Sequence, residues 1–427
     1  MLDVDDLYKC KCQQRIIFFT DVCVCSLVLN FRDKLRYLPR EFKMPESYIE
    51  PDLPHACFKC NTKVTGEKKK LSKCAGCHAI SYCGRECQRA DWTRHKWNCH
   101  PVMVKEIPGK GRGLVAARDI KMGELIFADK PAIKLSLGGS VIPGGPDFMK
   151  SLKSQIENLP TEARLQFNKM QAPMDDQDMN DFSLNLAGGN QDDARLLMLF
   201  FNNSLGDRNR DFASLYLNHA LVNHSCAPNA ASGKGEMEGR HELRAIKDIS
   251  RGEEVATCYV GKLWDFGCNA QERRMNLEKQ VLSFVCNCPV CLGKVSSQEE
   301  LGTKLMELHK QLSDNHYQKD LSVWRKEAET LDKIVDLTLQ LHIGKVEDKF
   351  QALNLLARRA HLARDEDRLR KAMETWKRMA EDIKLVDLLR GYEIMEECLA
   401  AVSGELKSNS PPTDREIDFI FSINVNV

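Results

Sequence analysis

Eight cysteine and histidine residues between positions 57 and 99 have the spacing of zinc ligands. Two residues between cysteines let one tight turn present both sulfurs to a single ion, and a pair at i and i+4 would share a helix face. Eight ligands make two four-coordinate sites with no open position, which predicts structural rather than catalytic zinc. The spacing leaves open which pairs share an ion. The pairs are Cys57 and Cys60, Cys74 and Cys77, Cys83 and Cys87, and His95 and Cys99.

A second cysteine group, made of Cys286, Cys288 and Cys291, supplies three thiolates and lacks a fourth ligand nearby. Zinc thiolates persist in reducing compartments, and a chain of 427 residues needs no disulfide staples. We therefore interpret the clusters among the eighteen cysteines as metal sites and expect the protein in the cytoplasm and nucleus. Four N-terminal cysteines have no convincing second pair and are predicted not to bind metal: Cys10, Cys12, Cys23 and Cys25.

The run Asn-His-Ser-Cys-Ala-Pro-Asn at positions 223–229 is an order of residues that packing does not require. A glycine-rich turn at 109–114 lies upstream, where glycines allow positive φ and close approach of the backbone to a ligand. A Gly-Glu-Glu…Tyr segment at 252–259 lies downstream. These segments and the closing cysteines, in this order, resemble SET-domain lysine methyltransferases. The upstream array resembles a MYND finger, so the chain is similar to the SET-and-MYND (SMYD-type) family of protein-lysine methyltransferases.

The resemblance implies how the zinc ligands are grouped. MYND fingers interleave their pairs, and SET proteins complete the closing cluster with the cysteine of the Asn-His-Ser-Cys run. The third ion would tie the segment after the SET domain to the catalytic core, which makes three structural zinc ions in all. The implied groups are Cys57, Cys60, Cys83 and Cys87; Cys74, Cys77, His95 and Cys99; and Cys226, Cys286, Cys288 and Cys291.

The resemblance also implies transfer of a methyl group from S-adenosylmethionine to a lysine amine. Free lysine has a pKa of about 10.4 and only its neutral amine attacks, so the site must desolvate, deprotonate and align that amine. Tyr259 is the implied catalytic residue, through its hydroxyl, and Tyr216 is a candidate wall of the lysine channel. Eight residues are implied in cofactor binding: Lys110, Gly111, Arg112, Gly113, Asn203, Asn223, His224 and Phe284.

Three features depart from the family pattern. Leu282 stands where relatives commonly have a tyrosine, four residues before the closing cysteines, and the missing hydroxyl could alter or impair methylation. The finger precedes the glycine-rich turn, whereas most relatives insert it after the first SET strands. The region after Leu292 is shorter than the helical domain of the best-known relatives.

The hydrophobic pattern predicts an α+β protein with a β-rich part, a helical insert and an all-α C-terminal region. The resemblance implies that the β-rich part is a SET fold and that the finger precedes it. We expect strands at 113–117 and 125–127, strand-like sequence again from near Leu215 to Tyr259, a helix at 272–284, and a loose tail from 408. Amphipathic helices at 299–407 indicate a bundle or a tetratricopeptide-like array. The expected domains are an uncertain extension at 1–54, the finger at 55–100, the SET domain at 101–270 with its insert at about 147–205, a post-SET zinc segment at 271–295, and the helical domain and tail at 296–427.

The charge balance restricts the partners. Lysine and arginine total 62 and aspartate and glutamate 61, so the net charge of +1 argues against strong nucleic-acid binding. The apolar segment at 16–31 is shorter than the ~20 residues of a spanning helix and contains Asp21, so no membrane partner is expected. The resemblance implies a histone (a chromatin-regulator role) or a non-histone protein as substrate, and proline-rich partners at the finger. The alternative is a non-catalytic adaptor of the transcriptional-corepressor type that binds such partners.

Overall fold

The structure is a computed structural model, and it describes residues 57–62, 71–77, 80–95, 99–137, 144–170, 190–206, 211–234, 239–259, 269–279, 284–295, 297–312, 320–401 and 410–423. The predictions about residues 1–54 and about Leu282 lie outside these ranges. The chain divides into two compact units. The smaller unit has its described residues within 133–159 and 168–215, and the larger unit within 53–132, 160–167 and 216–427.

The strands of the described residues are short and mostly antiparallel. In chain order they are β1 (Ser72–Lys73), β2 (Ser81–Tyr82), β3 (Val102–Ile107), β4 (Gly111–Ala116), β5 (Leu125–Asp129), β6 (Ile133–Ser136), β7 (Ser204–Gly206), β8 (Phe212–Leu215), β9 (Asn223–His224), β10 (Ala230–Lys234), β11 (His241–Ala245) and β12 (Glu254–Thr257).

The helices of the described residues are concentrated in the C-terminal half. In chain order they are α1 (Arg85–His95), α2 (Pro146–Glu157), α3 (Thr161–Asn168), α4 (Gln191–Asn203), α5 (Ala270–Lys279), α6 (Ser297–His309), α7 (Leu321–Gln340), α8 (Val346–Leu362), α9 (Glu366–Ile383), α10 (Val386–Ala401) and α11 (Asp414–Ser422). A short 3-10 turn spans His219–Leu221. No helix among the described residues is both long enough and apolar enough to cross a membrane.

Two small sheets of the larger unit carry the signature segments. One has the strand order β3-β4-β12-β9, and the other has the order β10-β11-β5. Strand β9 runs parallel to β12, with Asn223 opposite Ala256 and His224 opposite Thr257. This pairing places the Asn-His-Ser-Cys run beside the strand that leads to Tyr259. Buried aliphatic side chains, including Leu114, form the core between these strands.

The glycine-rich turn closes the hairpin between β3 and β4. Lys110 N donates to the Ile107 carbonyl at 2.9 Å. Gly109 and Gly111 have φ values of +75° and +71°, which residues with a Cβ atom rarely adopt. The glycines therefore allow a tight turn that brings Lys110 and Arg112 next to the neighbouring strand β12.

The smaller unit contains a three-stranded sheet, of order β6-β8-β7, together with α2 and α4. Its core includes Phe148. The ring centroid of Phe148 lies 5.7 Å from that of Phe201, in a stacked arrangement, and 6.1 Å from that of Phe200. The sequence predicted mainly helices and loops here and strands only from near Leu215. That expectation was wrong for β7, which pairs with β8 in an antiparallel arrangement. Strand β8 ends at Leu215, where strand-like sequence was expected to resume.

The C-terminal helices of the larger unit pack together through buried apolar side chains. On α9, Ala372, Trp376 and Ala380 recur every four residues and are all buried. The Trp376 indole N–H donates to the Leu388 carbonyl at 3.0 Å, so its single polar group is satisfied. Its ring lies 5.9 Å from that of Phe350. With these helices, the predicted α+β class is confirmed.

The predicted loose tail after position 408 was wrong for residues 414–422, which form α11. Thr413 caps this helix by accepting a hydrogen bond from Glu416 N at 3.2 Å. The Glu416 side chain forms an ion pair with Arg364 and lies 3.2 Å from His361 Nε2. Burial opposes ionisation of Glu416, but the hydrogen bond and charge of Arg364 outweigh it and lower the pKa of this carboxyl. Polar residues that looked like a tail in the sequence therefore anchor a packed helix.

Candidate active site and metal clusters

The finger gathers its eight predicted ligands into two groups, and within each the ligand atoms lie within 4.8 Å of one another. A Zn–S bond of about 2.3 Å gives a tetrahedron edge of about 3.8 Å. The sulfur–sulfur distances of 3.7 Å for Cys60–Cys83 and 3.5 Å for Cys83–Cys87 fit that edge. The interleaved grouping is confirmed: Cys57, Cys60, Cys83 and Cys87 form one cluster, and Cys74, Cys77, His95 and Cys99 form the other.

The second finger cluster is the more buried of the two. His95, at the end of α1, directs Nε2 to within 3.3 Å of Cys74 Sγ and 3.7 Å of Cys77 Sγ. Cys99 is not helical, so the expectation that it shares a helix face with His95 was wrong. Its sulfur still lies 3.7 Å from that of Cys74.

The third cluster joins Cys226 to Cys286, Cys288 and Cys291, as the resemblance implied. Cys226 Sγ lies 3.7 Å from Cys286 Sγ and 3.5 Å from Cys291 Sγ, distances that again fit a zinc tetrahedron. Residue 284 is not helical, so the predicted helix at 272–284 was wrong at its last residue.

Two arginines of α5 lie against the third cluster. Arg274 donates to the Cys291 carbonyl at 2.8 Å, and Arg273 is completely buried. Burial opposes the charge of Arg273, but the hydrogen bond and negative charge of Cys291 outweigh it and raise the pKa of the guanidinium. Four thiolates around one Zn²⁺ carry a net charge of −2, and a buried cation offsets this charge.

The predicted cofactor-binding residues of the glycine-rich turn meet Asn223. The Asn223 amide donates to the Arg112 carbonyl at 3.3 Å and to Glu254 Oε1 at 3.0 Å. Lys110 Nζ lies 2.7 Å from the other oxygen of the same carboxylate. The turn, the Asn-His-Ser-Cys run and strand β12 therefore converge on one network.

His224 connects the third cluster to Tyr259. The Tyr259 backbone N–H donates to His224 Nδ1 at 3.0 Å, which leaves Nε2 as the protonated nitrogen. Nε2 lies 3.3 Å from Cys226 Sγ and so donates toward a metal-binding thiolate. The imidazole also lies 5.4 Å from the Tyr259 ring and 5.6 Å from the Phe284 ring. One side chain thus contacts a zinc ligand and both predicted aromatic site residues.

Tyr259 is partly accessible, with 38% of its surface exposed. Its hydroxyl donates to the Val222 carbonyl at 2.5 Å. Desolvation by the surrounding protein, with a further contribution from the negative charge of Glu254, raises the pKa of the phenol above its ordinary value. The hydroxyl is therefore neutral at physiological pH and acts as a hydrogen-bonding group, not as a phenolate.

Most of the predicted site residues lie in the larger unit. Asn203 lies in the smaller unit, where its side chain donates to the Leu199 carbonyl at 2.8 Å. Tyr216 stacks on His241 at 5.2 Å. Sequence reasoning missed Glu254 and the Val222 carbonyl. The Gly-Glu-Glu run contained the signal for Glu254, whereas nothing in a sequence marks a backbone carbonyl.

Comparisons with known proteins agree with this arrangement. Residues 111–260 match the SET domain family, and residues 57–99 match the MYND finger family. The N-lysine methyltransferase SMYD2-B of Danio rerio is 27% identical over 257 residues, which cover 56% of this chain and 50% of that protein. The histone-lysine N-methyltransferase SMYD1 of Homo sapiens is 27% identical over 276 residues, which cover 58% of this chain and 49% of that protein. The chain spans about half the length of the curated relatives it matches.

One solved structure is titled "Crystal structure of the SET domain of LSMT bound to Lysine and AdoHcy". It aligns with a TM-score of 0.29 and 11% identity, over 75% of this chain and 92% of that one.

Proposed function

Because the chain carries a MYND finger followed by a SET domain, we propose that it is a protein-lysine N-methyltransferase that uses S-adenosylmethionine. The observation that carries the proposal is the convergence of the Asn-His-Ser-Cys run with the glycine-rich turn on one side and Tyr259 on the other. The methyltransferase names of relatives at 27% identity add support.

The residues at this convergence fit the donor. S-adenosylmethionine supplies an electrophilic methyl group on a sulfonium, and its amino-acid end carries an ammonium and a carboxylate. Lys110 offers a cation to a carboxylate, and Asn223 offers an amide oxygen to an ammonium. Phe284 and His224 provide ring surfaces beside Tyr259. The charged and aromatic groups of the site therefore match the charged and aromatic groups of the donor.

The protein must also prepare the substrate, because the lysine amine loses its proton and its water shell before it attacks. Since the pKa of Tyr259 is raised, its hydroxyl is protonated and serves to orient the amine rather than to remove a proton as a phenolate. Aromatic walls favour the neutral amine over the ammonium because they cannot hydrate the charge.

The test is transfer of labelled methyl from S-adenosylmethionine to histones or lysate protein by the full chain. Replacing Tyr259 by Phe removes one positioned hydroxyl and is expected to lower kcat by about 100-fold. Tyr392→Phe makes the same chemical change on α10, where the hydroxyl donates to Glu396, and serves as the matched control. Equal incorporation by wild type and Tyr259→Phe would remove Tyr259 from the catalytic role.

Substrate, partners and location belong to the same proposal. We propose a histone or other protein lysine as substrate, and proline-rich segments as partners of the finger, in the cytoplasm and nucleus. Trp92, which is 46% exposed on α1, supports the second point, since proline-rich segments dock on exposed aromatic rings. Every cysteine among the described residues is free of disulfides, which suits a reducing compartment. Titration of proline-rich peptides against wild type and Trp92→Ala tests the finger.

The same exposed Trp92 favours a second candidate, a non-catalytic adaptor that recruits proline-rich partners. Calorimetry separates the two functions. A protein that retains three zinc ions and peptide binding but has no affinity for S-adenosylmethionine is the adaptor. A protein that binds the donor and methylates protein is the enzyme.

A further inference from the structure

Building on the proposed function, we propose that Glu254 is a positioning residue for the amino-acid end of the donor. Its carboxylate holds Lys110 through one oxygen and Asn223 through the other, at 2.7 Å and 3.0 Å. The two partners lie more than a hundred residues apart in the chain, and Glu254 itself begins strand β12. One side chain therefore fixes the relative placement of two groups that would each contact the ligand.

The bond to Asn223 determines the orientation of its amide. The two Nδ2 hydrogens are directed to Glu254 Oε1 and to the Arg112 carbonyl. An amide held in this way cannot exchange its oxygen for its nitrogen, so Oδ1 remains the acceptor end. A fixed acceptor suits an ammonium, which only donates hydrogen bonds.

The bond to Lys110 determines where the cation sits. Its Nζ carries three donors, and Glu254 uses one, so the ammonium can bind a ligand carboxylate without leaving Glu254. Both side chains are only about a quarter exposed, at 25% for Lys110 and 22% for Glu254. The pair thus keeps a long, flexible lysine in one place before the donor arrives, which lowers the entropy cost of binding.

Packing around Gly113 shows how tightly the network is built. A Cβ at this position would lie 2.5 Å from Asn223 Nδ2 and 2.7 Å from Ile107 Cγ1, and 3.4 Å from Glu254 Oε1. Only glycine leaves room for the Asn223 amide to reach both partners. The glycine of the turn and the carboxylate of β12 therefore serve one purpose, the placement of Asn223.

The experiment measures the affinity of the full chain for S-adenosylhomocysteine by calorimetry, together with zinc content and melting temperature. Glu254→Ala removes both bonds and is expected to weaken Kd by at least about tenfold. Glu254→Gln keeps an acceptor for Asn223 but loses the charge that holds Lys110, so a smaller loss of about threefold is expected.

Glu253→Gln is the matched control, because this neighbouring carboxylate binds Asn229 and Ser250 N instead. Its Kd is expected to change by less than about twofold. In turnover assays, Glu254→Gln should raise KM for the donor and leave kcat at saturating donor nearly unchanged, since the contacts involve the non-reacting end. A general loss of structure would lower kcat and melting temperature together.

A double-mutant cycle shows whether Glu254 acts through Lys110. In a Lys110→Met background, Glu254→Gln should have almost no further effect on Kd. Additive losses would overturn the inference, and so would wild-type affinity in a Glu254→Ala protein that retains three zinc ions. If the wild type itself binds no donor, the proposed function fails, and that result is distinct from the other two. Should Glu254→Ala not fold, the Gln variant and the cycle decide.

Discussion

The finger clusters and the third cluster contain the same kind of ligand, but they are built in different ways. The finger takes all its ligands from residues 57–99, around a small core of its own that includes Tyr82. The third cluster joins Cys226 to three cysteines that lie 60 or more residues further along the chain. It is continuous with the core of the C-terminal helices. In the first finger cluster Cys60 and Cys83 are exposed, whereas all four ligands of the third cluster are buried.

The difference teaches that the two finger metals organise a local module, whereas the third metal clamps segments that are distant in the chain. The third cluster is connected to its surroundings through Cys226, whose carbonyl accepts a hydrogen bond from Gly344 N at 2.9 Å, and through His224, which reaches Tyr259. A structural zinc contributes its binding energy to folding wherever its ligands lie. Here the ligands of the third zinc lie in segments that the proposed reaction needs.

The largest expected effect comes from Cys226→Ser. This change removes the one ligand that links the Asn-His-Ser-Cys run to the closing cysteines, so bound zinc should fall from three ions to two and methyl transfer by at least about 100-fold. Mass spectrometry measures the number of bound zinc ions, and incorporation of labelled methyl measures the rate of transfer. Cys398→Ser, at a cysteine outside the clusters, is the control and should retain three ions. Three ions in Cys226→Ser would refute the long-range clamp.

A second test compares the rates of zinc release to a chelator. Exposed Cys60 and Cys83 allow a chelator to attack the first finger cluster directly, whereas the third cluster must open locally first. We expect at least two kinetic phases, with the slowest ion released about tenfold or more after the fastest. If Cys226→Ser removes the fast phase instead of the slow one, the order of accessibility is reversed.

His224 provides a test of the link between the third zinc and Tyr259. Asn at this position can still accept from Tyr259 N–H, whereas Gln can only restore the donor toward Cys226. His224→Gln should therefore lower kcat by about tenfold and His224→Asn by less, with three zinc ions retained in both. The reverse order would show that the contact to Cys226 matters more than the contact to Tyr259.

The smallest effect is expected for Cys60→Ser. Loss of the first finger zinc should reduce zinc content by one ion and change the affinity for S-adenosylhomocysteine by less than about twofold, because the finger has its own core. Calorimetry on the purified variant measures this. A loss of affinity as large as that of Cys226→Ser would show that the finger and the donor site are coupled.

The sequence predicted the metal-binding residues correctly, but it failed for short secondary-structure elements that depend on tertiary packing. The spacing identified the ligands of the finger, and the family resemblance implied the interleaved groups and the role of Cys226, which the structure confirms. Strand β7 and helix α11 were missed, because short segments take their structure from the partners that cover them. Glu416 on α11 is buried against Arg364, a contact between segments that are far apart in the chain.

The sequence by itself determined the ligands, the glycines of the turn and the order of the signature segments, since each depends on residue type and short spacing. The tertiary structure alone decided that Glu254 joins Lys110 to Asn223, and that His224 lies between a zinc ligand and Tyr259. Hydrogen bonds between distant segments depend on where the strands bring them together. Chain spacing does not encode that geometry, because contacts of more than a hundred residues' separation arise only when the sheet has formed.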